Sequence, residues 1–94
     1  MGYYVEVEAL RGKAALIAEK YSGAVVSQAE ATEAMNAPGM GVIVVVDNGP
    51  FEAAAFAYSQ REFDEFVSDR DPRPRQFVIL DRAVAEKASG FKRH

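Results

Sequence analysis

The chain has 94 residues, 49% of them hydrophobic and 27% charged, with a formal net charge of −3, which is the composition of one ordinary globular domain and excludes a disordered or collagen-like chain. It contains no cysteine, which excludes disulfides, thiolate catalysis and cysteine-ligated zinc and fits a reducing, cytoplasmic setting. A mildly acidic chain without a basic block is a poor non-specific nucleic-acid binder, because that affinity comes from neutralising phosphates.

The apolar run from Gly41 to Val46 is far shorter than the ~20 residues that span a bilayer. Residues 1–6 lack the basic-then-apolar form of a signal peptide, so no membrane association is expected. A domain of this length buries only roughly 60–65% of its unfolded surface, and self-association into a homodimer would add to its stability.

Residues 3–9 alternate, with Tyr3, Val5, Val7 and Ala9 on one side and Tyr4, Glu6 and Glu8 on the other, which predicts a half-buried strand. From Arg11 to Tyr21, Ala14, Ile17, Ala18 and Tyr21 follow helical spacing, and Ser22-Gly23 supplies the stop. Ala24–Val26 is a short strand candidate. Ser27 and Glu30 have capping-box spacing and open a helix with Ala31, Ala34 and Met35 on one face. The β-branched run from Val42 to Val46 predicts a central strand buried on both faces.

Asp47-Asn48-Gly49-Pro50 is a hairpin turn, expected as a four-residue loop because Pro50 has no N–H to close a tighter one. Phe51–Tyr58 returns as a strand. Ser59 and Glu62 form a second capping-box pair before a helix with Phe63, Phe66 and Val67 inward. Residues 69–75 form an extended loop, since Pro72 and Pro74 exclude helix and ladder. Gln76–Leu80 is the last strand. Asp81 caps a terminal helix with Val84, Ala85 and Ala88 inward, Gly90 stops it, and residues 91–94 fray.

This order predicts one α+β domain over residues 1–94, with 24–40 as an inserted strand and helix. Without the insertion it reads as the ferredoxin-like β-α-β-β-α-β pattern, a mostly antiparallel sheet with helices on one face. Keeping Ala24–Val26 as a full sheet member instead makes the N-terminal half a parallel β-α-β unit.

Few residues invite chemistry. The single histidine is His94, where nothing orients it, so no catalytic residues, metal site or cofactor are expected and the chain reads as non-enzymatic. Gly39-Met40-Gly41 follows a helix and opens a strand, the reverse of a phosphate loop. Asp47, Asn48 and Glu52 form a solvated turn, and Asp69 and Asp71 run into Pro72 and Arg73 in place of further metal ligands.

Two features stand out. Arg70, Arg73, Arg75 and Arg82 form the one cationic cluster, a candidate anion site because guanidinium forks bind phosphate or carboxylate. Pairing Val46 with Phe51 puts Val42, Val44, Val46, Ala53, Ala55 and Ala57 on the helix-covered face and Ile43, Val45, Ala54, Phe56 and Tyr58 on the other, beside Tyr4. Tyr4, Ile43, Val45, Phe56 and Tyr58 are therefore the candidate partner or dimer interface of an open sheet face, to be covered either by a second chain or by the inserted segment 24–40 of the same chain.

That expectation implies a protein-binding or regulatory accessory module acting as a homodimer with a further, unknown protein partner. An open face bearing Tyr4, Phe56 and Tyr58 resembles RNA-recognition domains, whose sheet aromatics stack on bases. The resemblance implies a nucleic-acid or nucleotide binder that adds the Arg70–Arg75 loop. Glu6, Glu8 and Glu52 oppose it by repelling phosphate, and the basic and glycine residues of that family's signature are missing.

Overall fold

The computed structural model describes residues 3–4, 14–48, 51–68 and 74–91. Over these the chain runs β1 (Tyr3–Tyr4), α1 (Ala14–Lys20), β2 (Ala24–Val26), α2 (Gln28–Met35), β3 (Met40–Asn48), β4 (Phe51–Phe56), α3 (Gln60–Phe66), β5 (Arg75–Asp81) and α4 (Arg82–Ser89).

Local chemistry sets the helix ends. The Ser27 hydroxyl accepts from the Glu30 N–H while the Glu30 carboxylate accepts from the Ser27 N–H, a complete capping box. The Ser59 hydroxyl accepts from the Glu62 N–H, and the Asp81 carboxylate from the Ala83 N–H at 2.9 Å. Gly90 ends α4 at φ +75°, the left-handed conformation that glycine takes without a Cβ penalty.

The sheet has the order β1-β4-β3-β5-β2, and every neighbouring pair is antiparallel. This is not the ferredoxin-like order, which would set β1 between β4 and β5. Instead β1 lies at one edge against β4, and β5 sits between β3 and β2. Residues 24–40 hold the strand and the helix expected of them, with β2 at the sheet edge beside β5. The parallel β-α-β alternative fails as well, because β2 pairs antiparallel with β5.

In the β3–β4 hairpin Asn48 stands opposite Phe51 and Val46 opposite Ala53, two residues from the Val46–Phe51 pairing expected. The four-residue loop is therefore not formed: the strands reach to within two residues of each other. Because side chains alternate with period two, a two-residue slip leaves every residue on its expected face.

The expectation of helices on one face does not hold. Ile43, Val45, Ala54, Phe56, Val78 and Leu80 pack with Ala14, Ile17 and Ala18 of α1 and Ala85 of α4. On the opposite side Val42, Val44, Ala57 and Phe77 pack with Ala31 and Ala34 of α2 and Phe63 of α3. The physical reason lies in β3, whose uninterrupted apolar run needs cover on both sides; Val42, Ile43 and Val44 are all 0% exposed. Gly41 lets α4 sit down on the sheet, since a Cβ there would lie 2.8 Å from the Ala85 Cβ.

Candidate functional site

Three of the residues expected to form an open interface, Ile43, Val45 and Phe56, lie within the fold. Ile43 and Phe56 are 0% exposed and Val45 is 2% exposed, all beneath α1 and α4. Tyr4 stands opposite Ala55, a register position of the other face, and it is Tyr3 that stands opposite Phe56. Tyr58 is half-buried and its ring stacks on Phe91 at 5.2 Å between centroids. Phe91 also meets Phe56 edge-on at 5.5 Å, so this residue, expected to fray, closes an aromatic corner over the sheet. The surface that an RNA-recognition reading needs is therefore covered.

Of the cationic cluster, Arg75 and Arg82 are described. Arg70 and Arg73 lie outside the described residues, with most of the loop expected over 69–75. Arg75 opens β5 and its guanidinium donates to the Phe66 carbonyl oxygen. Arg82 follows the other end of that seven-residue strand, ~20 Å away at roughly 3.3 Å per residue. It therefore stands apart from Arg75. Its Nη2 donates to the Tyr58 carbonyl at 3.2 Å, its Nε pairs with Glu86 at 3.2 Å, and its guanidinium lies 5.2 Å from the Phe56 ring centroid. Arg82 thus ties α4 to the segment that follows β4.

What the fold leaves available is the outer edge of β2. On its inner side Ala24, Val25 and Val26 stand opposite Ile79, Val78 and Phe77 of β5; among the described residues no strand pairs with its outer side. Val25 is 45% exposed, and with Val84 on α4 it is one of the two exposed large hydrophobic residues described. Val84 was expected to point inward with Ala85 and Ala88. It does not, because Ala85, over Gly41, takes the innermost position on α4.

Both ends of β2 are fixed by local geometry. At its start the Gly23 N–H donates to the Ala18 carbonyl at 2.7 Å, and Ser22, not Gly23, carries the positive φ of 57°. Gly23 is required for a different reason: a Cβ there would lie 2.5 Å from the Ile79 carbonyl oxygen. At the far end Ser27 turns the chain into α2.

From Tyr21 to Ala29 no residue is charged. The first charges beyond are Lys20, whose ammonium lies 5.4 Å from the Tyr21 ring centroid, and Glu30, held at Ser27 by the capping box. Natural edge strands are commonly protected by lysine, proline or a bulge. β2 carries none of these, and what limits it as an edge is its length of three residues. Sequence reading missed this edge because it set 24–40 aside as an insertion; the uncharged stretch around two valines was the available signal.

Comparison with known proteins adds no relative: no protein-family model, no curated protein and no solved structure matches the chain. No group of three or more His, Asp or Glu side chains among the described residues could hold a metal ion. Among the described residues, no helix is long and apolar enough to cross a membrane.

Proposed function

We propose that this chain is a non-enzymatic protein-binding module that takes a partner strand along the outer edge of β2. The observation that carries the reading is the uncharged Ala24–Val26 edge, exposed at Ala24 and at Val25, which is 45% exposed. Adding a strand there satisfies main-chain groups and covers Val25, which is the physical basis of β-augmentation. The lack of cysteine and the single histidine at position 94 favour binding over acid–base or nucleophilic chemistry.

A photo-activatable benzophenone side chain placed at position 25, in the native host, tests it. A defined protein adduct is expected from position 25 and not from position 32, which is exposed on α2. Equal labelling from both positions, or none from position 25, would overturn the reading.

A further inference from the structure

We infer that the strand accepted by β2 is β2 of a second copy of this chain, paired antiparallel about Val25. The inference rests on the edge-pairing reading above and names its partner. A two-fold axis normal to the sheet and passing between the two Val25 residues sets Val25 against Val25, Ala24 against Val26 and Gly23 against Ser27. The two five-stranded sheets become one, with both copies of α1 on one side and both copies of α2 on the other.

Self-complementarity is written in the positions around this axis. The uncharged stretch 21–29 is centred on Val25, and Lys20 and Glu30 are the first charges on either side, at equal distance and of opposite sign. Pairing about Val25 therefore brings no charge against a like charge along the edge, although each chain carries a net −3. It sets Lys20 of each copy level with Glu30 of the other.

Both groups stand at the strand's ends, Lys20 in the last turn of α1 and Glu30 in the first turn of α2. These helices cover opposite faces of the sheet, so the two charges are not in contact and the attraction acts only through solvent. It orients the pair and weakens with salt. Val25 facing itself is the favourable part, as an apolar β-branched cross-strand pair.

The contact is short. A three-residue strand and its flanks lie below the ~1,200 Å² of a standard stable interface, so association in the high micromolar range is expected.

The test uses the self-opposed position. Light scattering with gel filtration should show wild type moving from the 10.3 kDa chain mass toward twice that mass as concentration rises. V25K and V25E, each checked for an unchanged circular dichroism spectrum, should be monomeric alone because like charges meet across the axis. An equimolar mixture of the two should dimerise. Wild type that stays monomeric to ~1 mM overturns the inference; if position 25 still crosslinks to another protein in the host, the edge reading itself stands. Dimerisation of V25K or V25E alone, or a mixture that stays monomeric, also overturns it. Should either variant fail to fold, concentration-dependent amide shifts of wild type decide: shifts centred on 24–26 support the pairing, and shifts centred elsewhere refute it.

Discussion

Gly41 of β3 and Ala85 of α4 are in such close contact that a Cβ on Gly41 would lie 2.8 Å from the Ala85 Cβ and 3.2 Å from the Arg82 Cα. The helix backbone stands in the way, so a larger side chain cannot be accommodated by turning a rotamer. Gly41→Val should lower stability by about 1–3 kcal/mol, the usual range for overpacking. Urea unfolding measures it. A midpoint unchanged from wild type would mean that α4 does not press on β3 here.

Phe56→Glu separates the observed fold from an open-face arrangement. With Phe56 fully buried under Arg82, Phe91 and Ala85, a carboxylate there has no solvent, and the cation beside it, Arg82, is already paired with Glu86. The variant should lose its cooperative unfolding transition. A folded, merely monomeric Phe56→Glu protein would place that side chain on the surface.

Arg82 acts through its shape as well as its charge. Arg82→Met removes the bond to the Tyr58 carbonyl and the pair with Glu86 and should cost roughly 1–3 kcal/mol. Arg82→Lys keeps the charge and loses the planar fork over Phe56, so it should recover only part of that loss. Thermal unfolding of the two variants side by side gives the order. Full recovery by lysine would argue that charge alone matters.

Gly23→Ala should loosen the edge strand selectively, since its Cβ would sit 2.5 Å from the Ile79 carbonyl. Amide exchange of Ala24–Val26 should accelerate while Val42–Val45 stays protected, the pattern of local opening. Uniform acceleration across both strands would show that β2 opens only with the whole sheet.

Much of the local structure was legible in the sequence because it is set by neighbours a few residues apart. Helical spacing marked Ala14, Ile17 and Ala18, all buried; Ser27 and Glu30 marked a cap that forms in full; Val42–Val46 marked a strand buried on both faces. What escaped was the side of the sheet each helix takes. An apolar stripe on α1 or α4 says that a helix has an inner face, not which face of the sheet it meets. That choice follows from β5 lying beside β3 rather than β1, a pairing decided between residues far apart in sequence. The same gap displaced the candidate site: once β3 was given cover on one side only, Ile43, Val45 and Phe56 appeared free, and the true edge at Val25 was hidden inside a supposed insertion.

The sheet order also dictates a timetable. The three inner strands β4, β3 and β5 come from residues 40–81, while both outer strands come from residues 3–26. During synthesis the outer strands leave the ribosome first and have nothing to join. Val25 must wait for Val78, its partner in register, an interval of roughly 3–10 s at ~5–20 residues per second. Until then Ala24–Val26 is unpaired along both of its sides, and the nascent chain carries two bare edges of the segment that the finished protein leaves with one.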